Sequence, residues 1–174
     1  MFFQRSRSPI SVDLPPLQIF QVDINDVHGH EASLANLRVQ NRFYGSLTSL
    51  ADPKASIAAN GERVLGYVFT THQERRSRQP SVMMVNELCV DIGYRKHNLG
   101  AALMHHALQT WGEGKTEKIE LISRTFAKPF YQKLGFLPAS FAAGAMSADV
   151  SQIGPVLEQR AATVLQSPDT IVTA

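Results

Sequence analysis

The chain has 174 residues, 44% of them hydrophobic and 18% charged, which suits one compact domain and excludes a disordered tail protein. Its 17 Lys and Arg against 15 Asp and Glu leave a formal charge of +2, so overall charge attracts neither nucleic acid nor a membrane, and neither is expected as a partner. A chain this long buries roughly 70% of its unfolded surface without disulfides, and Cys89, the only cysteine, has no partner for one, which points to a reducing cytoplasm.

Apolar runs reach only four residues, as in Val82 to Val85, so no membrane-spanning helix is expected. Met1-Phe2-Phe3 is followed at once by Gln4 and Arg5, which leaves no room for the apolar stretch of a signal peptide. Residues 1–16, with Pro9, Pro15 and Pro16, read as an extended arm. Residues 17–150 read as the folded domain, and 151–174 as a C-terminal helix and tail.

Leu17 to Val22 suggests a strand, and Asp23 to Asp26 offers turn and capping side chains. Leu34, Leu37, Asn41 and Tyr44 share a helical stripe that Leu47 and Leu50 continue after a break at Gly45, predicting two helices that end at Asp52-Pro53. Asn60-Gly61 joins two apolar runs and predicts a hairpin, because both residues tolerate positive φ. A polar stretch containing Arg75, Arg76 and Arg78 then leads to a strand over Val82 to Ile92, apolar on both faces in its first half, as in a sheet centre. Leu103, Met104, Ala107, Leu108 and Trp111 line one face of a helix that carries His105 and Gln109 on the other. Gly112 and Gly114 stop that helix, and Lys118 to Ser123 alternates as a strand. A short helix from Ala127 ends at Gly135, Phe141 to Asp149 holds a final strand, and Ile153 to Leu165 is a helix opened by Pro155. The fold class is α/β (α+β).

The chemistry concentrates where the central strand Glu87-Leu88-Cys89-Val90 turns through Tyr94-Arg95-Lys96-His97-Asn98 into the helix at Leu99-Gly100-Ala101. Backbone N–H groups at such a helix start attract a phosphate, small residues admit it to the backbone, and Arg95 and Lys96 add charge. This stretch resembles the pyrophosphate-binding motif of the GNAT N-acyltransferases, whose pattern is Arg/Gln-x-x-Gly-x-Gly/Ala. Ala127-Lys128-Pro129-Phe130-Tyr131-Gln132-Lys133-Leu134-Gly135-Phe136 is similar to the family's second signature, and the Asn60-Gly61 hairpin looks like its second and third strands. The likeness runs over Leu17 to Phe136. Asn98 departs from the first glycine of the pattern, and Arg124 stands where many members carry asparagine, beside Ser123. Asparagine is enriched at positive φ, so the loop is expected to keep its shape.

The resemblance implies a mixed, mostly antiparallel sheet with helices on both faces, splayed at the central strand, and acetyl-CoA as cosubstrate. Leu88, Cys89 and Val90 are then expected beside its pantetheine arm, with an oxyanion donor among their amides, and Arg95, Lys96, His97, Asn98, Leu99, Gly100 and Ala101 around its diphosphate. An amine attacks the thioester directly, so a base must take its proton. Glu87, the one carboxylate in the mostly apolar first part of the strand, fits that role directly or through water, unless it merely pairs with a basic neighbour. Tyr131 matches the family's tyrosine, which donates a proton to the leaving thiolate, and otherwise packs beside Phe130 and Phe136. Cys89, on the same strand face as Glu87, is a weaker candidate as a nucleophile. His105 with His106, and His28 with His30, read as solvated residues rather than metal ligands. The acceptor is expected to be a small-molecule or peptide amine, with a homodimer left open. A non-catalytic acyl-CoA-binding module and a nucleic-acid binder using the Arg75, Arg76 and Arg78 cluster are the competing readings.

Overall fold

The computed structural model describes residues 16–23, 29–43, 53–74, 80–111, 115–165 and 170–172. The expected arm, the turn at Asp23 to Asp26 beyond its first residue, the second helix around Leu47 and Leu50, the Arg75, Arg76 and Arg78 cluster, and the stops at Gly112 and Gly114 lie outside them.

Among the described residues eight strands form one sheet: β1 (Leu17–Asp23), β2 (Lys54–Asn60), β3 (Arg63–Gln73), β4 (Val82–Val90), β5 (Lys118–Ile122), β6 (Leu137–Pro138), β7 (Ala145–Asp149) and β8 (Thr170–Val172), in spatial order β6-β7-β5-β4-β3-β2-β1-β8. Pairing is antiparallel except between β4 and β5 and between β1 and β8. Four helices among the described residues pack on it: α1 (Glu31–Gln40), α2 (Leu99–Thr110), α3 (Lys128–Leu134) and α4 (Val150–Leu165). The expected fold class is therefore observed.

The hairpin between β2 and β3 forms as predicted, with Gly61 at φ +60°. Asn60, however, closes the ladder opposite Arg63, so the turn consists of Gly61 and Glu62. Gly135 at φ +103° ends α3 in the left-handed region, where a residue without Cβ carries little strain.

Two apolar layers cover the two sheet faces. Leu34 and Leu37 of α1 pack with Ile57, Tyr67, Phe69 and Cys89 on one face. On the other, Leu103 and Met104 of α2 meet Val68, Met83, Ile119 and Leu121, together with Leu134 of α3 and Ile153, Leu157, Ala161 and Val164 of α4. Helix α4 starts at Val150, three residues before the expected start, and Pro155 lies inside it. Because α4 packs directly on α2, Leu99 to Met104 are buried all round, where one apolar stripe was expected. The packing of α2 on the sheet buries His106, contrary to expectation; its ring lies 2.9 Å from the hydroxyl of Ser56 in β2, which satisfies one ring nitrogen.

β4 sits between β3 and β5 but pairs with β5 only from Val82 to Val85. Asn86 is the extra residue of a bulge against β3, since Glu87 pairs Phe69 and Val85 pairs Thr70. From Asn86 to Val90 the strand keeps β3 and loses β5, which is the expected splay.

Gly66 of β3 lies under α2, where an added Cβ would stand 2.9 Å from Leu103 Cδ1 and 3.0 Å from the Cys89 carbonyl oxygen. Gly66→Ala should cost about 1–3 kcal/mol by overpacking, read as a lower urea midpoint at unchanged slope.

Candidate active site

The splay is bounded by the backbone of β4 on one side and by the segment from β5 to α3 on the other. By strand alternation, Leu88 and Val90 pack toward α2 while Glu87 and Cys89 face α1, as expected from the sequence. Cys89 is 1% exposed, and its thiol lies 3.1 Å from the Tyr67 hydroxyl. That hydroxyl donates in turn to Glu87 Oε2 at 2.9 Å. Arg38 of α1 grips the same carboxylate at two points, Nε to Oε2 at 3.2 Å and Nη2 to Oε1 at 2.9 Å. The Glu87 side chain is 11% exposed, so it sits inside the structure and is paired with a basic neighbour. No sequence signal points to Arg38 or Tyr67 at this site; Tyr67 stands opposite Cys89 in the β3–β4 register, which only the strand pairing discloses.

Burial is the main influence on three of these groups. It pushes the Cys89 thiol up to about 12, with the Tyr67 hydrogen bond opposing and the Glu87 charge adding to the rise. It also lifts the Tyr67 phenol well above its usual range, helped by Cys89 and Glu87. On Arg38 burial pulls downward, but the hydrogen bonds and charge of Glu87 outweigh it and the guanidinium is raised. A buried, protonated thiol is a poor nucleophile.

Tyr131 projects from α3, 8% exposed, edge-on to Phe130 at 5.0 Å and to Phe136 at 5.6 Å between ring centroids. Burial raises its phenol above the ordinary range, with the charge of Cys89 contributing second. A phenol so placed stays protonated through the neutral range and always has a proton to donate.

At the helix start, Asp91 caps a short 3-10 turn over Ile92–Tyr94 by accepting from the Gly93 amide at 2.8 Å. Lys96 at φ +71° and Asn98 at φ +60° are left-handed, so Asn98 adopts the backbone that a glycine would take. The first amides of α2 have no acceptor within the helix. Gly100 faces α3 and Val90: an added Cβ there would stand 3.1 Å from Phe130 Cζ and 3.6 Å from Val90 Cγ2. Lys96 and His97 are exposed and, with Asn98 and Leu99, line a cavity of about 560 Å³ that reaches Leu17 of β1 and Thr163 of α4. Glu87, Cys89 and Tyr131 are not part of its lining. Unpaired amides at the helix start, a strand edge without a partner and a small residue between them fit a diphosphate with a peptide-like arm.

The Arg95 side chain turns away from that loop toward α1, donating to the Val90 carbonyl at 3.3 Å and to Asn41 Oδ1 at 3.1 Å. Arg124 reaches the same place from the β5 side, donating to the carbonyls of Asn41 at 3.0 Å and Arg42 at 2.9 Å, with its guanidinium 4.3 Å from the Phe43 ring centre. Ser123 hydrogen-bonds the Arg124 carbonyl at 2.9 Å. Among the described residues no carboxylate pairs with Arg42, Arg95 or Arg124.

Residues 35–141, more than half of the chain, match the model of the acetyltransferase (GNAT) domain. The chain belongs to the GNAT acetyltransferase family. No curated protein matches it. Among solved structures, it is similar to an aminoglycoside acetyltransferase, meta-AAC0020, from an uncultured soil metagenomic sample, in complex with trehalose (TM-score 0.59, 13% identity, 73% of this chain and 92% of that one). It is also similar to AtaTR bound with AcCoA (TM-score 0.56, 19% identity, 83% and 97%) and to AtaT complexed with acetyl-methionyl-tRNAfMet (TM-score 0.53, 18% identity, 80% and 98%). The last of these corrects the expectation of no nucleic-acid partner, since a GNAT protein of this fold engages tRNA. Overall charge does not exclude such a partner, because it averages over the surface while Arg95 and Arg124 converge on Asn41. Among the described residues no helix is long and apolar enough to cross a membrane.

Cys89 should alkylate with iodoacetamide at pH 8 roughly 10³-fold more slowly in the folded protein than in urea, followed by mass spectrometry; fast labelling of the native protein would show an open, ionised thiol.

Proposed function

We propose that this protein transfers an acetyl group from acetyl-CoA to a primary amine, with Glu87 as general base and Tyr131 as general acid. The observation that supports it most is the interrupted β4–β5 ladder: the backbone from Asn86 to Val90 lacks its β5 neighbour next to the unpaired amides at the start of α2. That edge offers amide and carbonyl groups to a pantetheine arm as an added strand would. The amides of Leu99, Gly100 and Ala101, at the positive end of the helix, hold the diphosphate, and Lys96 and His97 add donors at its border. Bound there, acetyl-CoA supplies the activated thioester.

Glu87 then receives the acceptor's proton, directly or through water, on the α1 face of the sheet. The β4 amides of the splayed stretch between Leu88 and Val90 are the oxyanion donors, because a fixed backbone dipole needs no reorganisation as charge develops. Tyr131, across the splay, gives a hydrogen bond and then its proton to the departing thiolate. Calorimetric titration with acetyl-CoA and a thiol-release assay over a panel of amines test the reading; absence of binding at millimolar acetyl-CoA would end it. Tyr131→Phe should lower kcat about 10²-fold while the acetyl-CoA affinity stays within twofold, because a proton donor contributes to the transition state alone. Gly100→Glu should weaken acetyl-CoA binding at least about tenfold by placing bulk and negative charge at the phosphate amides, with turnover at saturation less affected.

A second reading concerns the carrier of the amine. Arg42, Arg95 and Arg124 are exposed and lack carboxylate partners among the described residues, and Phe126, two residues after Arg124, is 73% exposed. Cations interleaved with an accessible aromatic suit a single-stranded nucleic acid whose end presents the amine. Fluorescence anisotropy with a short single-stranded RNA should then show affinity falling steeply with salt, and Arg42→Glu should reduce both the affinity and the slope, by about 0.7 in the slope per lost phosphate contact. Salt-independent or undetectable binding would return the acceptor to an unattached amine.

A further inference from the structure

Tyr67 and Arg38 belong to none of the family's signature stretches quoted above, yet both close on Glu87. The direction of each hydrogen bond around that carboxylate is fixed by chemistry. An ionised carboxylate accepts only, and a guanidinium donates only, so both Arg38 contacts run toward Glu87. Tyr67 has a single hydroxyl proton, which goes to Glu87 Oε2, and its oxygen then accepts from the Cys89 thiol. Among the described residues, Oε2 thus receives two donors, Arg38 Nε and Tyr67 Oη, while Oε1 receives Arg38 Nη2 alone. The remaining lone pair on Oε1 is the open proton-accepting position of the cluster. Tyr67 has no freedom to move away, since it is fully buried with its ring 4.5 Å from that of Phe69.

We infer that Arg38 and Tyr67 are positioning residues for acetyl transfer: they hold Glu87 in one rotamer with Oε2 occupied, so that the acceptor's proton is received at Oε1. This rests on Glu87 being the base. Arg38 comes from α1, and Tyr67 from β3, so the base is held from a helix and from the sheet at once. A carboxylate free to rotate would spend part of its time turned from the acceptor, and loss of alignment costs turnover while cofactor binding is kept.

The test is a double-mutant cycle on turnover at saturating acetyl-CoA. Tyr67→Phe, which keeps the buried ring and removes the hydroxyl, should lower kcat about tenfold with KM for acetyl-CoA unchanged. In the Glu87→Gln background the same change should cost less than about twofold, because the group it positions no longer accepts a proton. Arg38→Gln should behave as Tyr67→Phe does, and Arg38→Lys, which keeps the charge and one contact, should restore part of the loss. Near-ultraviolet circular dichroism confirms that each variant is folded, and the Arg38 pair carries the test if Tyr67→Phe is not. An equal tenfold loss with and without Glu87, or no recovery with lysine, would overturn the positioning role while leaving the base intact. Full activity of Glu87→Gln alone would remove the base reading and this inference with it.

Discussion

The structure depends on one interrupted pairing. β4 lies in the interior of an eight-stranded sheet, yet beyond Val85 it has no neighbour on the β5 side. Buried backbone amides and carbonyls without partners are costly, and a bare strand edge within a sheet invites something to pair with it. The bulge at Asn86 re-aims the strand at that point, so the divergence is built into the register rather than left to a loop. β4 and the chain from β5 to α3 diverge from here, and each proposed participant is attached to one of these two arms: Glu87 and the amides between Leu88 and Val90 to the first, Tyr131 to the second.

Arginines hold the arms relative to α1. Arg95 from the β4 side and Arg124 from the β5 side converge on Asn41, at the end of α1 where backbone carbonyls are left over. A cation at a helix C-terminus contributes about 0.3–1 kcal/mol, so the two contacts are modest singly and matter because they brace both sides of the opening. Among the described residues those donors meet carbonyls and an amide rather than carboxylates, so no described carboxylate offsets their charge at the mouth. Arg38 behaves differently: its charge is matched by Glu87, and the pair is shielded from solvent on both sides. One helix thus carries a neutralised arginine inward and borders a positive rim outward.

Features set by nearest neighbours were legible in the sequence. The Asn60-Gly61 signal located the β2–β3 hairpin because turn chemistry is local, and Gly135 marked the end of α3 for the same reason. The alternation that puts Glu87 and Cys89 on one face survived the bulge because the bulged residue precedes both. What escaped depends on residues far apart in the chain. Arg38 is 49 positions from Glu87, and nothing around either one announces the other. His106 escapes for the same reason: its own helix carries no trace of Ser56 in β2, 50 positions away, against which its ring is buried. Helix α4 begins before Pro155 rather than near it: a missing N–H removes one helical bond, and the burial of Ile153 and Leu157 on α2 outweighs that loss.

The same long-range logic explains why asparagine is tolerated where the family pattern has glycine. A left-handed backbone costs an L-residue roughly 1–2 kcal/mol, with Asn at the lower end because its short side chain finds hydrogen bonds. At Asn98 those bonds go to α4: Nδ2 donates to the Thr163 hydroxyl at 2.9 Å and Oδ1 accepts from Arg160 at 3.4 Å. Arg160 also reaches the Lys133 carbonyl at the end of α3, at 3.4 Å, so α4 ties together the helices that flank Gly100. At about 0.5–1.5 kcal/mol each, such bonds offset the backbone strain, which a glycine would avoid without gaining any tether. The substitution therefore exchanges backbone freedom for a link to the C-terminal helix, and the shape of the loop comes to depend on α4 being in place.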